Sequence, residues 1–327
     1  MAGQPRPVSL ASEMDDGTFP SAAEGGNHRR WEPGYVRLFQ SGELAERTEA
    51  ARQRLTPCRL CPRHCGVDRL NDERGLCLIG RRPVVSTAFP HHGEENCLRG
   101  TRGSGTIFFS GCNLQCDFCQ NFDISHAVQG AQLDPSSLAE SMLRLQALGC
   151  HNINLVTPTH VTPQILEALT LAVPDGLRLP LVYNCGGYEE VETLRLLEGI
   201  IDIYMPDFKF WDPEKARLYL NTGDYPEIAR HALREMHRQV GDLIVDPRGL
   251  ARRGLLVRHL VMPGCLDDTR AILQFLRDLS GQTAVNVMAQ YRPAGVVDSR
   301  QHPQINRGIT LQEYRDALQA AAGLRLV

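Results

Sequence analysis

From residue 106 onward the chain repeats one alternation six times: a short apolar or β-branched run, then an amphipathic stretch. The runs are 106–110 (TIFFS), 152–157 (NINLVT), 180–185 (PLVYNC), 201–208 (IDIYMPDF), 254–262 (GLLVRHLVM) and 284–290 (AVNVMAQ). Helical patterns lie at 136–148, 163–172, 189–198, 213–219, 226–240 and 267–279, and a seventh at 311–322 closes the chain. Parallel strands need crossover connections, and helices are their usual form, so this alternation predicts an α/β fold with a parallel sheet. Six units suit a partial (β/α)6 TIM-like barrel. Thr162-Pro163 reads as an N-cap followed by proline at the first helical position. Thr310-x-x-Glu313 has the pattern of a capping box.

The rest of the chain has a different texture. Residues 1–30 are rich in Gly, Pro, Ser and charge and are expected to form a disordered tail. Residues 31–55 carry a loose apolar stripe and are expected to be helical. Residues 56–105 are loop-rich, with four close cysteines, and need a further source of order such as a metal. The expected organisation is therefore a tail at 1–30, a helix with a Cys-rich metal-binding extension at 31–105, the partial barrel at 106–295, and a C-terminal helix packed on it at 296–327.

A net charge of −3 gives no electrostatic case for a nucleic-acid or membrane partner. No apolar run is long enough to span a bilayer. The N-terminus lacks the charged and apolar regions of a secretory signal. A cytoplasmic location is expected, and there eleven cysteines point to metal binding or chemistry rather than disulfides.

The unusual residues cluster just after the strands, where open α/β sheets and barrels place their sites. Gly103-Ser104-Gly105 reads as a turn into the first strand. After that strand comes Cys112-x3-Cys116-x2-Cys119. Three thiolates on a short loop can hold three irons of a cubane and leave the fourth open, as a catalytic metal requires. Pro158-Thr159-His160 follows the second strand, Gly186-Gly187 the third and Pro263-Gly264 the fifth. Asp207 and Lys209 end the fourth strand, and Tyr291-Arg292 follows the sixth.

This spacing, the aromatic Phe118 before the last cysteine, and the position after a first apolar strand resemble the radical S-adenosylmethionine (SAM) superfamily. The segments CRLCPRHCGV, GSGTIFFSGCNLQCDFCQN, LVTPTH, MPDFK and RHLVMPG, between about residues 58 and 295, resemble an uncharacterised branch related to the pyruvate formate-lyase activating enzyme. The resemblance implies a 4Fe-4S cluster on Cys112, Cys116 and Cys119 whose open iron binds SAM. Reductive cleavage of SAM then gives a 5′-deoxyadenosyl radical that abstracts hydrogen from a substrate. It further implies Asp207, Lys209, Arg258 and Tyr291 as residues near SAM, with Phe118 beside the cluster. Many relatives carry Gly-Gly-Glu after the second strand, where this chain has Thr157-Pro158-Thr159-His160. The role of that motif then passes to Thr157, Thr159 or backbone carbonyls, and Asn184 on the third strand is a further ligand contact.

Cys58, Cys61, Cys65 and Cys77 form a second set with the spacing of a closed four-thiolate site, for zinc or for an auxiliary iron–sulfur cluster. The reading leans to the cluster, although spacing does not decide it. Cys97 could replace one of the four or sit by the active site. Cys150, Cys185 and Cys265 read as structural, with Cys185 and Cys265 at strand ends facing the site. His91, His92 and His160 are candidate ligands or proton donors.

Three functions are compatible with these features. The first is a radical SAM enzyme acting on a protein or peptide, including activation of a glycyl-radical enzyme, with a flavodoxin- or ferredoxin-like electron donor. The second is the same chemistry on a small molecule or nucleic acid. The third is a non-catalytic Fe–S or zinc module.

Overall fold

The structure is a computed structural model and describes residues 31–327. The expected disordered tail at 1–30 lies outside the described residues. The chain divides into two units, 1–31 and 32–327, and every element below lies in the second. The helices are α1 (Gly34–Ser41), α2 (Glu43–Gln53), α3 (Asn96–Arg99), α4 (Phe122–Ser125), α5 (Pro135–Ala147), α6 (Thr162–Ala172), α7 (Val191–Leu196), α8 (Pro213–Leu220), α9 (Tyr225–Val240), α10 (Leu266–Leu279) and α11 (Leu311–Ala320). The strands are β1 (Val84–His91), β2 (Ser104–Phe109), β3 (Ala131–Gln132), β4 (Ile153–Val156), β5 (Leu181–Cys185), β6 (Ile203–Pro206), β7 (Ile244–Val245), β8 (Ala251–Leu260), β9 (Ala284–Met288) and β10 (Arg325–Leu326).

This is a mixed α/β fold on one central sheet, in the order β10-β9-β8-β6-β5-β4-β2-β1-β3, with β7 paired to β8. The six strands read from the sequence are β2, β4, β5, β6, β8 and β9. They lie side by side in chain order and all run parallel. Their C-terminal ends therefore share one edge. The inner strands are buried on both faces, as parallel strands are: Ile153 and Leu155 on β4, Val182 and Tyr183 on β5, Ile203 through Met205 on β6. Burying each such aliphatic side chain contributes roughly 1.5–3 kcal/mol.

Several sequence expectations need correction. The helix expected across 31–55 is two helices, because Gly42 takes φ +84° and ends α1. Residues 56–105 hold a strand that the reading missed. The strand β1 pairs antiparallel with β2 and extends the sheet past the parallel block. Thr162 does not cap α6: Val161 is the cap residue, and the Thr162 hydroxyl turns back to the Thr159 carbonyl at 3.2 Å. The capping box at Thr310 and Glu313 is present as expected. The helix α2 packs on α6 and α7, so the N-terminal pair joins the helical layer, and α11 packs on α10.

Candidate active site

The loop that leaves β2 is held tightly from behind. Gly111 has φ +78°, and a Cβ there would sit 2.2 Å from the Cys77 carbonyl oxygen, so no larger residue fits. Downstream, the Asp117 carboxylate accepts from Asn221 Nδ2 at 2.9 Å and pairs with His302 Nε2 at 2.9 Å. These contacts fix a loop that presents Cys112, Cys116 and Cys119 to one cavity of about 700 Å3 at the C-terminal edge of the parallel strands.

Two of the thiols have neighbours that partly offset the cost of ionising them in a buried site. The Leu114 N–H donates to Cys112 Sγ at 3.3 Å, and the Ser125 hydroxyl donates to Cys119 Sγ at 3.2 Å. Burial pushes the Cys112 and Cys116 thiols up; backbone N–H groups oppose this at Cys112, and the Lys209 ammonium opposes it at Cys116. A metal ion that takes the sulfur lone pair completes the deprotonation. Among the described residues no three His, Cys, Asp or Glu side chains are already drawn to metal-binding distances. Three soft thiol donors around a cavity of this size have the donor chemistry of an iron–sulfur cluster with one iron left open.

The rest of the wall comes from the ends of the other parallel strands: Thr157 after β4, Asn184 and Cys185 on β5, Asp207 and Lys209 after β6, Arg258 on β8 and Asn286 on β9. Thr157 takes φ +60° as its N–H reaches the Asn184 carbonyl at 2.8 Å. Lys209 Nζ lies 2.5 Å from the Asp207 carboxylate. Burial works against the Lys209 charge, and Asp207 more than reverses that, so the lysine stays protonated. Phe118 lines the cavity and packs edge-on against Phe210 and Tyr291.

Four expected residues stand elsewhere or are engaged otherwise. Arg258 is in the wall, but its guanidinium is already held by two carboxylates: Nε lies 2.8 Å from Glu95, and Nη2 contacts both Glu94 and Glu95. Asn286 adds a bond to Glu95 at 2.8 Å. A SAM carboxylate would have to displace one of these acids. Tyr291 does not line the cavity; it is buried, and its hydroxyl donates to the Ile305 carbonyl at 2.7 Å. Cys265 precedes α10, away from the cavity. Cys97 is buried in a separate apolar cluster with Val182 and Met205, and neither cysteine set includes it. His91 does line the wall, 3.4 Å from Glu94, while His160 lies against the other cysteine set. Glu94 and Glu95 are not legible as site residues in the sequence, because nothing local in HHGEEN marks a loop that returns to β8.

Behind Cys185 lies a buried acid. Glu189 accepts from the Thr159 hydroxyl at 2.7 Å and the Tyr183 hydroxyl at 3.1 Å. Burial dominates even so and pushes its carboxyl up to about 7. The folded state then holds a proton there that the unfolded chain has released, so stability falls as pH rises from the ordinary glutamate range toward 7. Glu189→Gln should flatten that part of a melting-temperature versus pH curve. An unchanged slope would show that the acid is ionised in the fold.

No family model matches the chain. It is 23% identical over 204 residues to the pyruvate formate-lyase-activating enzyme of Listeria monocytogenes, spanning 58% of this chain and 75% of that one. This distant homology supports membership of the radical SAM superfamily. The chain belongs to the same family as the uncharacterized protein MJ0674 of Methanocaldococcus jannaschii: the two are 34% identical over 284 residues, 84% of this chain and 77% of that one. The solved structure of Streptococcus suis SuiB aligns with a TM-score of 0.44 at 12% identity, over 67% of this chain and 47% of that one, too loose a likeness to bear on fold or function. Among the described residues no helix is long and apolar enough to cross a membrane.

Proposed function

We propose that this chain is a radical SAM enzyme that abstracts hydrogen from a protein or peptide, as an activase of a glycyl-radical enzyme would. The observation that carries the reading is the shared cavity: three cysteines of one loop face Asp207 and Lys209 across a space of about 700 Å3. Cys112, Cys116 and Cys119 would hold a 4Fe-4S cluster, and the cavity has room for SAM beside it. When bound, the two supply reductive cleavage of SAM to a 5′-deoxyadenosyl radical. Lys209 and Asp207 set a fixed dipole next to the cysteine loop, and Thr157 and Asn184 offer polar contacts for SAM. Phe118 and Leu114 keep water from the cysteine side. Under this reading the six parallel strands form a partial barrel, residues 31–105 a metal-binding extension, and a cytoplasmic flavodoxin or ferredoxin delivers the electron.

The Listeria enzymes, by their name, activate a protein, and this favours a polypeptide substrate. The test is anaerobic 5′-deoxyadenosine formation by the reconstituted protein with SAM and dithionite. It is run with the high-molecular-mass fraction of the source cells and, separately, with the ultrafiltrate. Stimulation by the protein fraction alone is expected. Stimulation by the ultrafiltrate alone would replace this substrate class with a small molecule.

A further inference from the structure

A second cavity lies on the far side of the cysteine loop, and Cys58, Cys61, Cys65 and Cys77 all line it. Its volume is about 10 Å3, the room of a single water or ion. A cubane of eight iron and sulfur atoms would need the cysteine walls to part, whereas a single ion needs only the thiols to turn. Two neighbours in the same wall are incompletely paired. The first is Arg69, which is only 1% exposed. Its guanidinium bonds carbonyl oxygens alone, that of His160 at 2.7 Å and that of Gly80 at 2.9 and 3.1 Å. Among the described residues it has no carboxylate counter-ion, although a buried charge without one is costly. The second is His160. Its Nε2 lies 2.8 Å from the Ser110 carbonyl, which can only accept, so the proton sits on Nε2 and Nδ1 keeps a lone pair. That buried Nδ1 has no hydrogen-bond partner.

We propose that this cavity binds one zinc ion through Cys58, Cys61, Cys65 and Cys77, with Arg69 as the buried counter-ion of the four-thiolate site. Four thiolates on one divalent ion carry a net charge of −2, and this is the anion that Arg69 lacks. The thiols are not yet at coordination distance, so binding turns them inward by side-chain rotation. Gly75 leaves room for one of them: a Cβ there would meet Cys65 Sγ at 2.7 Å. The site also braces the catalytic loop. Arg63, between Cys61 and Cys65, donates to the Asn113 carbonyl at 2.9 Å and the Leu114 carbonyl at 3.1 Å. The zinc would thus hold the back of the loop whose front carries Cys112 and Cys116.

The test uses the full chain with Cys112, Cys116 and Cys119 all changed to alanine, which removes the first cysteine set and leaves the second. About one zinc per chain and almost no iron are expected. About four irons per chain in this variant would overturn the proposal in favour of an auxiliary cluster, and so would the absence of both metals. A cobalt titration of the zinc-stripped, otherwise unaltered protein keeps the proposal testable if the triple variant does not fold. Strong sulfur-to-cobalt charge-transfer absorption is expected, with one cobalt equivalent of it lost in Cys61→Ser/Cys77→Ser; absorption of unchanged strength after this double change would overturn it. If the cluster reading of the first site failed instead, the unaltered protein would hold zinc and form no iron–sulfur cluster, so the two failures differ.

Discussion

Replacing Cys116 with alanine lowers 5′-deoxyadenosine formation by more than about 100-fold under anaerobic reducing conditions, since loss of a partner outside the ligand shell alone costs 10–100-fold. Cys116 sits mid-loop and buried, and no other cysteine lines the cavity except Cys112, Cys119 and Cys185. Cys185 is on β5 and belongs to a different wall, so it does not stand in for a loop ligand. The variant should also lose iron on reconstitution, while its melting temperature moves little because the loop is anchored by Asp117 and Gly111 rather than by the thiol. A Cys116→Ala protein that keeps its iron and cleaves SAM at the original rate contradicts the assignment of this loop.

The second large effect is on stability. Arg258→Leu takes the guanidinium away from Glu94 and Glu95, in a wall where the Glu95 side chain is only 3% exposed. Burial opposes the Glu95 charge, and the bonds from Arg258 outweigh it, so the carboxyl lies below its ordinary range in the intact protein. Removing one partner of such a buried group costs about 3–5 kcal/mol. Urea unfolding should show that loss, and adding Glu94→Gln and Glu95→Gln should recover much of it. A loss under about 1 kcal/mol would mean that the acids are free to move out to water, leaving Arg258 available to a ligand.

The contrast between Arg258 and Cys116 shows what the sequence makes legible. Cysteine spacing is local: C-x3-C-x2-C on a loop after an apolar strand brings its members to one cavity whatever else folds around it. The six parallel strands are equally local, written as β-branched runs between helical periods. Partners across the fold are not. Glu95 is 163 residues from Arg258 in sequence, and no periodicity announces that the loop after β1 returns to β8. The strand β1 itself, VVSTAFPH, was hidden because its neighbourhood reads as loop, with prolines at 83 and 90 and a histidine pair at its end. Tyr291 stands outside the cavity lining for a similar reason: its hydroxyl donates to the Ile305 carbonyl in a segment with no regular pattern. Cavity size is also invisible in sequence. The four N-terminal cysteines suit zinc or a cluster by spacing, and the small space of about 10 Å3 among them is what favours the proposal of a single ion.

The most direct test of the central claim is the EPR spectrum of the reconstituted, reduced protein before and after addition of SAM, with 5′-deoxyadenosine measured on the same sample. The account predicts that SAM shifts the cluster signal, because the iron without a cysteine ligand takes SAM, and that 5′-deoxyadenosine accumulates. A fully formed cluster whose spectrum SAM leaves unchanged, with no 5′-deoxyadenosine released, would contradict it.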